Sequence, residues 1–201
     1  SAATFQDLAA QLLFRDGSLA PPPDEIRRNR GSQPQLWMYG LSGDRPIVLA
    51  SIESMDGLPT LRELLTAHRF WTRRGLAVDL VVINASGHDY LQELRDAITE
   101  AVISTNDASL MDKAGGVFVR RLDAFAAVDY LMLSATCRVQ LTCDGRSLTR
   151  ILESVALQLS DRQRNASLAA RTLERSTPNI ASLAVAPADR PGAIASLVSA
   201  L

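Results

Sequence analysis

Two short apolar runs, "PIVLASI" at 46–52 and "LAVDLVVIN" at 76–84, flank a stretch with helical periodicity. This spacing constrains the fold more than any other feature. Runs so short and so apolar suit strands, and the second reads as apolar on both faces, as strands do in a parallel sheet covered by helices. Between them, Pro59 suits the first turn of a helix, and Leu61, Leu64, Leu65, His68 and Trp71 recur on one face. Arg69, Arg73 and Arg74 stand where a helix C-terminus favours cations, and Gly75 ends the helix. The segment is a β-α-β unit.

The alternation continues. A helix is predicted from Asp89 to Ser104, with His88 at its start, and a polar loop from Thr105 to Gly116. A third strand follows over Val117–Arg121. Asp123 can cap a helix to about Ala135 that carries Phe125, Val128, Leu131 and Met132. Cys137 to Cys143 reads as a fourth strand, parallel or an antiparallel edge. Ser147 to Leu159 is amphipathic. In front, Thr4 to Phe14 reads as a short helix with Thr4 and Asp7 as a capping pair, and Pro21–Pro23 as a stiff linker before a helical turn in "DEIRRNR". The expected fold class is α/β, a three-layer Rossmann-like domain over residues 1–160 with a small, mostly parallel four-stranded sheet. Residues 161–201 read as a helical segment, then a Pro/Ala/Ser-rich linker or a strap lying on the domain.

The totals exclude several functions. With a net charge of −1, the chain lacks the basic face that nucleic acid favours. Its single lysine, Lys113, precedes Gly115 and Gly116 rather than following a Gly-rich turn, so no P-loop is present. No apolar run reaches the roughly 18 residues of a membrane span, and "SAATFQDL" is no signal peptide. Beginning without Met, the chain reads as a piece trimmed from something longer. Cys137 and Cys143, if on one strand, lie about 20 Å apart, too far for a disulfide. They read as two buried thiols of a reducing compartment. No metal or cofactor set is identified.

The stretch "LWMYGLSGDRPIVL" at 36–49 concentrates the residues of interest. Ser42 lies between two glycines, but the nucleophile elbow needs a different spacing and a strand-to-helix turn. A turn in which Ser42 or Asp44 bonds nearby backbone amides, assisted by Gly43, is the alternative. Asp44 and Arg45 form an ion pair or bind a polar ligand. Trp37 and Tyr39 suit a sugar platform, since an aromatic face is apolar and its tip can bond hydroxyls; they equally suit a hydrophobic clamp over the sheet edge. His68, on an apolar helix face, reads as a core histidine bonded to backbone, with a ligand or base as its alternative. Asp79, a lone charge inside a strand, needs a partner. An arginine partner and a functional acid are its two readings.

The same stretch resembles the Leu-Trp-x-x-Gly-Ile-Ser-Gly-Asp-x-Pro-Ile-Val-Leu signature of cyclic β-1,2-glucan synthases and related phosphorylases of glycoside hydrolase family 94. "LRELLTAHRFWTRRGLAVDLVVIN", "YLQELRDAI", "GGVFVRRLD" and "FQDLAAQLLF" also resemble that family, covering roughly residues 4 to 145. Leu41, Arg45 and Phe70 depart from it mildly. The resemblance implies a fragment of a very large, multidomain bacterial enzyme anchored in the inner membrane, with this segment on the cytoplasmic side. It implies that the general acid and phosphate-binding residues lie in a helical barrel elsewhere, so no catalytic residue is carried over. The expected role is a non-catalytic accessory or scaffold domain, and its partners are other domains of the same polypeptide or β-1,2-glucan. The docking or glucan loop is Trp37, Tyr39, Ser42, Gly43, Asp44 and Arg45, with His68 and Asp79 secondary. The alternative is an independent Rossmann-like module for a nucleotide or sugar phosphate. The turn "ESMDGLP", with one Gly and two acids, suits phosphate poorly, and "NASGHD" suits it a little better.

Overall fold

Strand β1 (Ile47–Ile52) divides its side chains between two cores. Val48, Ala50 and Ile52 face one; Ile47 and Leu49 face the other. This period-two alternation, buried on both sides, is what the apolar run at 46–52 required. A computed structural model describes residues 1–14, 19–87, 91–105 and 108–176 of the chain. Among them, β1 lies in a four-stranded sheet with β2 (Asp79–Asn84), β3 (Val117–Arg121) and β4 (Val139–Cys143), in the order β3-β2-β1-β4. All three pairings are parallel, so β4 is a parallel edge.

On the first face lie α1 (Ala2–Leu13), α4 (Leu58–Thr72), α5 (Leu91–Thr105) and the start of α7 (Leu148–Ser176), contributing among others Leu8, Leu61, Leu65, Ile98 and Ile151. The second face is covered by α3 (Pro34–Trp37) and α6 (Ala127–Thr136), through Leu36, Met132 and Leu133, with Leu41 and Phe125 beside them. A short helix α2 (Pro23–Arg28) packs near α6. The result is an α/β fold of Rossmann-like form with three layers. Helix α4 buries the expected stripe of Leu61, Leu64, Leu65, His68 and Trp71. It closes at Gly75, whose φ of +79° lets the Leu76 amide donate back to Trp71 O at 3.1 Å.

Several boundaries differ from expectation. Ser1, not Thr4, caps α1; Thr4 lies inside the helix, buried, and its hydroxyl bonds that of Thr149 at 2.9 Å. Residues 122–124 form a 3₁₀ turn, so α6 begins only after Ala126, and Val128 points to solvent rather than inward. Cys137 caps α6 instead of opening β4. Strand β2 starts at Asp79 rather than Leu76, which moves that carboxylate from mid-strand to the N-terminal edge of the sheet. His88 and Asp89 lie outside the described residues. The sheet edges are partly covered: Gln140 donates its amide to Leu19 O at 2.8 Å beside β4, and Asp112 donates to Val117 O at 3.0 Å beside β3.

The chain divides into two units, Ser1–Ser160 and Asp161–Leu201. In the second, the described residues, 161–176, are helical, with exposed side chains at 161 and 163–169.

Candidate functional site

Helix α3 ends in a way that dictates the loop after it. Gly40, at φ +75°, donates to Trp37 O at 3.0 Å, and Leu41 donates to Leu36 O at 3.1 Å. This is the Schellman arrangement, in which a left-handed residue lets two amides reach back over the helix end. Its apolar contact is present too: Leu36 and Leu41 are both fully buried in the second-face core. With those two leucines as anchors, Trp37 and Met38 on the turn between them are driven outward. They are 61% and 78% exposed.

The polar residues of the loop bond one another. Gln33 Nε2 donates to Ser42 O at 2.7 Å and to Asp44 Oδ1 at 2.9 Å. Trp37 Nε1 donates to the same Ser42 carbonyl at 3.3 Å, and Ser42 Oγ accepts the Asp44 amide at 3.3 Å. Ser42 is therefore a turn residue, with its glycine neighbour Gly43 at φ +73°. Asp44 is held by Gln33, and the ion pairs among the described residues include none between Asp44 and Arg45. The Arg45 side chain instead runs past Gly115, where a Cβ would stand 3.7 Å from its Nε.

Tyr39 is turned away from Trp37's exposed role. Its ring stacks on Phe125 at 4.1 Å and an interplanar angle of 21°. Its hydroxyl donates to Asp129 Oδ2 at 2.8 Å, and Gln35 Nε2 donates to the other oxygen at 3.2 Å. The bond to Asp129, and then burial, raise the Tyr39 phenol above its ordinary range. Arg120 fixes the loop from behind. Its Nε donates to Tyr39 O at 2.9 Å and its Nη1 to Asp112 Oδ1 at 2.6 Å. Of the two aromatics, then, Trp37 is exposed, and Tyr39 is packed on Phe125 and bonded to Asp129.

His68 and Asp79 lie near the N-terminal edge of the sheet, His68 against the carbonyl of Val78 and Asp79 at the first residue of β2, where Arg45 from the end of this loop acts on it. Both are fully buried. His68 Nε2 lies 2.9 Å from Val78 O, and Asp79 Oδ1 accepts the Gly115 amide at 2.6 Å. Burial holds the imidazole below the usual histidine range. Burial also pushes the Asp79 carboxyl up, against the Gly115 amide and the charge of Arg45, which pull it down. The expected arginine partner is thus replaced by a backbone amide, with Arg45 acting at longer range.

Gln33, Asp129, Arg120 and Gly115 complete these arrangements and were not singled out by sequence. Asp129 in "AVDYLML" and Arg120 in "VFVRR" are charges within apolar runs, which was the available signal; their partners are 90 and 81 residues away.

No protein-family profile matches the chain. Over 97 residues, 48% of its length, it is 34% identical to a protein of Rhizobium meliloti (strain 1021), the cyclic β-(1,2)-glucan synthase NdvB. The chain is related to that synthase. The matched stretch spans 3% of NdvB, so the relationship concerns a small part of a much longer protein.

Proposed function

We propose that this chain is a non-catalytic accessory domain of a larger polypeptide that makes cyclic β-1,2-glucan, and that it docks against neighbouring domains through Trp37 and Met38. The observation that carries the role is the relationship to the glucan synthase over 97 residues, just under half the chain. The docking reading rests on the loop. Two large apolar side chains stand exposed side by side, while Gln33 Nε2, the Ser42 carbonyl and Asp44 Oδ1 beside them are already bonded to one another. A platform for glucan needs hydroxyl partners beside its ring; a protein contact needs a buried apolar centre. By the same reading, the segment belongs to a region like glycoside hydrolase family 94 and to the cytoplasmic face of a bacterial inner membrane. No helix among the described residues is long and apolar enough to cross that membrane.

The sheet order argues against a nucleotide module. Chain order reverses between β1 and β4, and an open α/β sheet binds ligands outside the strand ends at such a point. Here the two loops at that point press on each other. A Cβ on Gly57 would stand 2.3 Å from Cys143 O, and one on Gly145 would stand 2.8 Å from Asp56 O. Thr60 Oγ1 ties them further, accepting from Gly145 at 3.0 Å and donating to Arg146 O at 2.6 Å.

Hydroxyl-radical footprinting of Trp37 and Met38, read by mass spectrometry, tests the reading. Both residues are expected to be oxidised readily in the isolated chain and protected in the intact polypeptide. Linear β-1,2-glucan added to the isolated chain is expected to leave them unchanged. Equal oxidation in both forms would sink the docking role; protection by glucan alone would make the loop a sugar platform. With β-1,2-glucan and phosphate, the chain is expected to release no glucose 1-phosphate.

A further inference from the structure

Trp37 is exposed, yet its indole is held by a bond at its edge. Trp37 Nε1 and Gln33 Nε2 both donate to Ser42 O, at 3.3 and 2.7 Å, and Gln33 Nε2 donates also to Asp44 Oδ1 at 2.9 Å. Gln33 packs across Gly43, where a Cβ would stand 3.1 Å from its Cγ, and Gly43 turns the chain there at φ +73°. Three hydrogen bonds thus link an exposed aromatic ring to the carboxylate of Asp44, which is itself exposed. Gln33 takes Oδ1 and leaves Oδ2 for a donor from outside. The ion pairs among the described residues include none at Asp44. The arginines that border the loop are engaged elsewhere. Arg45 passes Gly115 and acts on Asp79, and Arg120 binds Asp112 and the Tyr39 carbonyl.

We propose that Trp37, Met38 and Asp44 together receive one arginine side chain of the neighbouring domain, its guanidinium stacked on the indole and bonded to Asp44 Oδ2. This rests on the docking reading above and adds the chemistry of the partner. Closing an apolar contact over Trp37 and Met38 strips water from the carboxylate beside them, which opposes docking unless the partner brings a cation. A guanidinium matches all three groups at once. It is flat and weakly hydrated, so it lies on an aromatic face. Its fork of N–H donors reaches a carboxylate at the edge of that ring. Its methylene stem packs on an apolar side chain such as Met38. A lysine ammonium lacks the plane and holds its water more tightly.

Phenylglyoxal labelling of arginines in the intact polypeptide, with lysines acetylated in parallel and both read by mass spectrometry, tests it beside the oxidation of Trp37 and Met38. One arginine outside these 201 residues is expected to be protected in the wild type. Asp44→Asn keeps an acceptor for Gln33 and removes only the charge. It is expected to raise the labelling rate of that arginine about fivefold. Trp37→Ala leaves the bond between Gln33 and Asp44 in place and is expected to unmask the same arginine, so the test does not hang on one variant. Protection of Trp37 and Met38 with no such arginine, or with a lysine or an arginine of this chain responding instead, overturns the proposal and leaves the docking role standing. Equal oxidation of Trp37 and Met38 in the isolated chain and in the intact polypeptide overturns both.

Discussion

Tyr39 shows how a single side chain can be assigned once its partners are known. Removing its hydroxyl in Tyr39→Phe leaves Asp129, itself 9% exposed, without one of its two donors. The expected loss is about 1–2 kcal/mol, read from a denaturant midpoint with unchanged slope. The cysteines give a second prediction. Both are free and buried, and burial pushes each thiol up to about 12. Neither carries a useful thiolate fraction at pH 8, so both are expected to ignore a disulfide reagent until the chain is unfolded, when two thiols titrate. Their burial was readable from sequence because they sit among apolar residues. His68 was readable as a core residue for the same reason. Asp79 was readable only as a charge in need of a partner. Gly115 is 36 residues away and bonds through its backbone amide, which leaves no mark in residue type.

At the scale of elements, the close of α3 is where sequence and structure part most. Four helical residues, Pro34–Trp37, are too few to show a periodicity, so the run at 36–45 reads as loop until Gly40 is seen to complete a helix end. Gly40→Ala must hold a left-handed backbone and bring a methyl to 3.1 Å from an Arg120 guanidinium nitrogen. It is expected to cost about 1 kcal/mol or more in thermal or chemical unfolding. Gly57→Ala is expected to be worse, because the methyl meets the backbone oxygen of Cys143, which cannot move without shifting β4. The β-α-β core was legible because strands buried on both faces and a striped helix leave strong patterns. The 3₁₀ turn at 122–124 was not, because Asp123 is a good cap residue whose side chain here bonds Arg121 instead.

For the whole molecule, the sheet and its two helical layers followed from spacing alone, but the direction of β4 did not. A strand with one partner reads much the same either way, and only its pairing with β1 decides. The first unit is expected to stand by itself. Residues of α7 that pack on the core include Leu148, Ile151, Leu152 and Val155, all before Ser160. A chain of residues 1–160 should therefore melt within a few degrees of the full chain by circular dichroism; a large drop would show that the later residues contribute to the fold. Arg120 gives the molecule one further property. Its guanidinium grips both the carbonyl of Tyr39 and the carboxylate of Asp112, on the turn that lines β3. The backbone of the exposed loop is thus tied through one planar group to the rim of the sheet, in addition to its Leu36 and Leu41 anchors in the second-face core.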